Sequence, residues 1–244
     1  MFSFLYNNIV FNPLYNGLIF LMDIIPWIDA GIAVILFTII IRLILFPLSK
    51  KAIVTQVKMK EIEPELNRLK QAFPDRQQQA LKVMELYKTK GVNPFSSFLV
   101  ILIQLPIIYA LYSIFVSSGL PSVNTELLYG FVTTPVVNMN FLGLFNIGSK
   151  SFILSIAAAV AQYLQLHFSL SVSVNQTQNK SNLISQAEMM QNMMKNMKYI
   201  FPVIVFFISY KVSAVVALYW TVSSLFTLGQ EIVVRRHLKK HQPL

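Results

Sequence analysis

Long stretches of this chain carry no charged side chain, among them Val92 to Thr125, Ser151 to Asn179 and Val212 to Gln230. A helix needs about 20 apolar residues to cross the hydrocarbon core of a bilayer, so each stretch can hold one span. A soluble fold of 244 residues has no room to hide them, because hydrophobic residues are 55% of the chain. Charged residues are 12%, about half the usual share for a soluble domain. These features predict an all-α integral membrane protein. The absence of cysteine excludes disulfides, thiolate metal sites, a Cys nucleophile and a lipid-modified N-terminal Cys.

Five transmembrane helices are predicted, over residues 29–49, 94–117, 151–170, 196–211 and 213–234. Residues 1–28 contain no Lys or Arg and mix apolar with polar side chains, and Pro13 and Gly17 are expected to interrupt them. They form an N-terminal interfacial amphipathic helix with Trp27 as an anchor, or alternatively a sixth span. Seventeen of the twenty basic residues are ten in 50–93, Lys180, Lys195 and Lys198 after the third span, and four in the basic tail 235–244. Lys150, in the loop 118–150, and Lys211 lie on the opposite side, and Arg42 lies within a span. The positive-inside rule then predicts a multi-pass protein with its N-terminus outside and its C-terminus cytoplasmic. A net charge of +10 would also suit nucleic acid, but its segregation to one face argues against a specific nucleic-acid partner.

Residues 50–93 read as a cytoplasmic helical hairpin. Ile53, Val57, Ile62, Leu66, Leu69 and Phe73 recur at near-helical spacing, and Leu81, Met84 and Tyr87 repeat the pattern. Pro64 should kink the first arm, Pro74-Asp75 should break the hairpin, and Gly91 and Pro94 should end it. Two such arms bury little, so a mobile element is expected.

Arg42 sits in an otherwise spanning helix, where a central Arg costs about 2.5–3.5 kcal/mol. None of the ten acids falls inside a span beside it, and Glu231 lies at the end of the last one. Water, hydroxyls and amides are therefore expected to solvate it. Thr38 lies one turn earlier, and Gln104, Gln162, Gln165, Tyr219, Ser223 and Ser224 lie in the other spans. Singly, each is an interhelical hydrogen bond of about 0.6 kcal/mol. Together with Arg42 they point to a hydrated cavity carrying one positive charge. The alternative is snorkelling, since Arg42 lies about 10 Å along the axis from Ser49.

Tyr199 to Tyr210 holds only twelve uncharged residues, about 18 Å of helix against a core of about 30 Å. Lys195, Lys198 and Lys211 must snorkel there, or the bilayer must thin. Met189, Met190, Met193, Met194 and Met197 form either a surface for varied hydrophobic segments or a lead-in to the fourth span. His167, His237 and His241 are scattered, so the sequence predicts no catalytic residue, metal site or cofactor.

Several strings resemble the YidC/Oxa insertase family. They are Thr38-Ile-Ile-Ile-Arg42-Leu-Ile-Leu-Phe-Pro47-Leu48-Ser49, Tyr87 to Pro94, Leu102-Ile-Gln104-Leu-Pro106, Phe141-Leu-Gly-Leu and Leu218-Tyr219-Trp220-Thr-Val-Ser223. They follow family order over nearly the whole chain. The resemblance implies five core helices around a groove open to cytoplasm and lipid and closed outside, in a bacterial plasma membrane. In it Arg42 attracts acidic residues of a translocating tail, and Thr38 and Trp220 lie along the substrate path. Gln162 matches a polar groove position, and Leu105 and Ile108 match an apolar slide. The implied function is a membrane protein insertase and chaperone for nascent membrane proteins, working alone or with a Sec-type translocon, with the ribosome as a further candidate partner. A large external domain and an extra N-terminal anchor are not expected. The last inter-helix turn, Tyr210-Lys211-Val212-Ser213, departs from the family's Pro/Gly-rich pattern, and the short tail argues against strong ribosome binding. A small anion transporter or channel using Arg42 is the rival, but the spans show no internal repeat of the kind transporters carry.

Overall fold

The computed structural model describes residues 2–73, 75–93, 96–117, 120–171 and 186–241. Pro74, Pro94 and residues 172–185 of the expected 171–195 loop lie outside the described residues, as do the last three of the tail. The described chain is mostly helical. The α-helices are α1 (Phe2–Tyr6), α2 (Asn12–Ile24), α3 (Ala30–Ile44), α4 (Phe46–Glu61), α5 (Glu63–Ala72), α6 (Arg76–Thr89), α7 (Ser96–Tyr112), α8 (Phe152–Ser171), α9 (Gln186–Val212) and α10 (Ala214–His241). Strands β1 (Asn140–Phe141) and β2 (Phe145–Asn146) pair antiparallel, Asn140 opposite Asn146 and Phe141 opposite Phe145.

Two compact units divide the chain: Met1–Ile44 with Leu105–Leu228, and Leu45–Gln104 with Gly229–Leu244. In the first, α8 turns Ile153, Ile156, Val160 and Leu164 outward and buries Ser155, Ala158, Ala161 and Gln162. Its partner α9 exposes Ile200, Val203, Ile204, Phe207 and Ile208 and buries Val205 and Ser209. Water would penalise this inside-out arrangement, whereas lipid favours aliphatic side chains outside and small or polar ones between helices. The two helices run antiparallel. Phe152 meets Phe206 edge-on with ring centroids 5.6 Å apart, and Tyr163 lies 6.1 Å from Tyr199. Lys198 lies over the Tyr199 ring at 4.7 Å.

By length and composition, Phe152–Ser169 alone can cross a membrane among the described residues, and Ala30–Ile44 with Phe46–Glu61 can do so as one broken span. The expected helix over 29–49 is interrupted: α3 ends at Ile44 and α4 begins at Phe46, with Pro47 in its first turn. A proline ring cannot sit beneath the carbonyl four residues earlier, so a new helix starts there instead. Pro64 acts in the same way, starting α5 rather than kinking one continuous arm.

Pro13 and Gly17 do not interrupt the N-terminal segment. A π-helical turn over Asn7–Phe11 precedes Pro13, which occupies the first turn of α2. Gly17 lets Phe37 of α3 approach, since a Cβ there would lie 2.8 Å from its ring. Residues 186–195, expected in a loop, are helical and continue into α9. Their Met, Gln, Glu, Lys and Ala are helix formers with no Gly or Pro among them. The basic tail likewise continues α10 as far as His241.

In the second unit Asp75 caps α6 through the Gln77 amide at 3.2 Å, and Gly91 leaves the helix at φ +61, a left-handed conformation that glycine adopts freely. Lys90 ties α6 to α5 through Glu65 at 2.7 Å. Burial raises the pKa of the Tyr87 phenol, whereas the Lys82 ammonium holds the Glu85 carboxyl below its ordinary value.

Candidate functional site: a buried cation in a polar seam

The first unit brings Arg42 to α10. The Arg42 guanidinium donates to the Ser223 hydroxyl, with both residues buried at 8% and 1% exposure. Ile40, Leu43 and Ile44, on the other faces of α3, are exposed, so the helix aims one cation inward and its aliphatic surface outward. Thr38 shares the buried face of Arg42, and its hydroxyl donates to the Val34 carbonyl at 2.6 Å. That bond satisfies the hydroxyl within α3 itself.

A second polar joint lies one residue further along α10. The Gln162 side-chain oxygen accepts from the Trp220 indole N–H at 2.9 Å and from the Ser224 hydroxyl at 3.0 Å. Its amide nitrogen donates to Gln165 at 2.8 Å. Adjacent positions on a helix point about 100° apart, so Ser223 and Ser224 hold α3 and α8 respectively. Trp220 is buried, and Phe201 of α9 meets its ring at 6.4 Å. The Trp220 indole N–H is thus engaged by Gln162. Tyr219 is also buried.

Leu105 is exposed and Ile108 half-buried in the first unit. Gln104 belongs to the second unit and is half-buried there. In that unit Ser49 lies 3.4 Å from Gln230, and the buried Glu231 carboxylate accepts from Arg235 Nε at 3.0 Å. Glu231, at the end of the last predicted span, therefore has a cation of its own one turn away. Gln165 and Ser224 carried only a general polar signal in the sequence; Gln165 meets Gln162 within α8, whereas the partner of Ser224 is set by a contact between helices.

Asp29 was missed. Its carboxylate accepts from the Ile32 amide at 2.8 Å, capping α3, and from the Leu142 amide at 3.0 Å. An Asp three residues before a long apolar run is the signal that would have found it.

A bundle with aliphatic faces outward and an Arg, a Gln, serines and an indole inward is an integral membrane protein with a polar interior. Residues 20–241 match the family described as 60Kd inner membrane protein. The chain is 30% identical over 207 residues to the membrane protein insertase YidC of Fusobacterium nucleatum, covering 84% of this chain and 86% of that one. Over 219 residues it is 30% identical to the Clostridium tetani protein of the same name, covering 88% and 86%. Over 211 residues it is 28% identical to the Oceanobacillus iheyensis one, covering 84% and 74%. The chain belongs to the 60Kd inner membrane protein family, the YidC/Oxa family. Membership makes it a bacterial inner-membrane protein, in a family that is not one of enzymes in the catalytic sense.

Proposed function

We propose that this chain is a membrane protein insertase that receives nascent membrane proteins and helps them enter and fold in the bilayer. Five spans, over 29–49, 94–117, 151–170, 196–211 and 213–234, surround a hydrated groove, with the N-terminus outside and the C-terminus cytoplasmic. The distribution of basic residues supports that orientation. Residues 1–28 lie at the interface, and the hairpin over 50–93 is a mobile cytoplasmic element that meets substrates. A Sec-type translocon and the ribosome are candidate partners.

The reading rests above all on Arg42, a cation buried beneath an aliphatic exterior and held on a hydroxyl of α10. A guanidinium retained there at such a cost can attract the acidic residues of a translocating tail. Thr38, Gln162, Tyr219, Trp220 and Ser223 supply the polar lining, and Leu105 and Ile108 form the apolar slide. Attraction of this kind depends on charge more than on shape.

Insertion of a single-span client with an acidic N-terminal tail tests the reading at equal membrane abundance. Arg42→Lys should keep much of the insertion, Arg42→Ala should lose most of it, and Arg42→Glu should lose at least as much. Neutralising the client's acids should weaken its dependence on Arg42, which a double-mutant cycle measures. Normal insertion by Arg42→Ala would leave the charge as a snorkelling anchor only.

A further inference from the structure

Residues 138–149 bridge the N-terminal ends of the two helices that meet at Arg42 and Ser223. The first amides of a helix have no partner within it. At α3, Ala30 donates to the Asn138 carbonyl at 2.8 Å. At α10, Ala214 and Val215 donate to the Ser149 and Ile147 carbonyls at 2.7 and 2.9 Å. Between these contacts the segment folds on itself through the β1–β2 pairing and the Ile147 amide, which donates to the Met139 carbonyl at 3.0 Å. Ile147 is fully buried, and Phe141 packs so closely on Gly31 that a Cβ there would lie 2.3 Å from the ring.

Asp29 joins this segment to α3, one carboxylate oxygen serving the helix and the other the Leu142 amide. Leu142 and Gly143 hold the turn at φ 52 and 71, which presents the Leu142 N–H to Asp29. Arg42 lies about 18 Å along α3 from this end and Ser223 about 14 Å along α10. A helix is stiff over such distances, so its position at the capped end carries down to the contact.

We infer that residues 138–149 are a strap fixing the separation of α3 and α10, and that Asp29 is a positioning residue for the Arg42–Ser223 contact. This rests on the proposed role of Arg42 in receiving acidic tails. Asp29→Asn separates strap from cap. Asn caps a helix as well as Asp does, but its amide nitrogen cannot accept the Leu142 N–H. Leu142→Gly is the control, since it relieves the positive φ and keeps the N–H.

The test measures insertion of an acidic-tailed and a neutral-tailed client at equal abundance, with Arg42→Ala alongside. Asp29→Asn should lower insertion of the acidic-tailed client roughly fivefold, the equivalent of one hydrogen bond, and the neutral-tailed client less. Leu142→Gly should change neither. The Ala30→Cys/Asn138→Cys pair, whose backbones are already hydrogen-bonded, should form a disulfide in this cysteine-free chain. Oxidised, the pair should leave otherwise unaltered protein active and restore Asp29→Asn; reduced, it should not restore it. Equal loss for both clients, no loss, no rescue, or inactivation by the disulfide would each overturn the strap. If Arg42→Ala itself spares the acidic-tailed client, the reading of Arg42 fails instead.

Discussion

Replacing Gln162 with alanine should loosen α8 from α10 by an amount that follows from its contacts. Its side-chain oxygen accepts from Trp220 at 2.9 Å and from Ser224 at 3.0 Å, and all three residues are buried. Interhelical hydrogen bonds in membranes contribute about 0.6 kcal/mol on average and about 1.7 kcal/mol at most. Losing two, with a small void where the amide stood, should cost about 2–4 kcal/mol. Trp220→Phe removes the indole donor while keeping an aromatic ring against Phe201. Because both changes delete the same bond, a double-mutant cycle should give a coupling of about 0.6–1.7 kcal/mol. The assay is unfolding in mixed micelles titrated with dodecyl sulfate, followed by circular dichroism. Additivity within about 0.3 kcal/mol would refute the reasoning, leaving the Gln162–Trp220 bond without energetic weight. Insertion assays on the same variants separate two roles. A joint lowers insertion of acidic- and neutral-tailed clients together, whereas a groove ligand for the tail lowers the acidic one selectively.

Two further outcomes are expected. Gly31→Ala places a Cβ 2.3 Å from the Phe141 ring and should destabilise the fold by about 1–3 kcal/mol, with part of the loss recovered by Phe141→Ala; an unchanged unfolding midpoint would show that the hairpin yields freely. For topology, Lys70→Cys and Lys240→Cys should resist an impermeant thiol reagent in intact cells while Lys150→Cys reacts, and labelling at position 70 would overturn the orientation.

Much of the helical framework was legible because its signals are local. Asp75, where a break is expected, caps α6, and Gly91 ends it as expected; Pro47 and Pro64 begin new helices instead of a continuous span and a kinked arm, because a proline alone does not say whether a helix bends or restarts. The errors have local causes too. Pro13 looked like an interruption because a π-helical turn ahead of it cannot be foreseen from composition, and Gly17 looked like a break when it makes room for Phe37. The Met-rich residues looked like loop because the search was for apolar runs, while their helix propensity carries α9 back to Gln186.

The sequence by itself determined that this chain belongs in lipid and that Arg42, Gln162, Ser223 and Ser224 each need something polar to meet. An uncharged run and a lone cation have transfer costs that hold whatever the neighbours are. Only the tertiary structure decided what those groups turn towards. The Ser223 hydroxyl that Arg42 meets lies 181 residues away, and the two donors to the Gln162 side-chain oxygen lie 58 and 62 away. The peptide carbonyls that receive the first amides of α10 come from the segment between α7 and α8. Hydrogen bonds between helices depend on rotation and separation, which packing sets for the bundle as a whole. A polar residue records in the sequence only that it needs a partner, and several hydroxyls and amides can meet that need until the helices are packed.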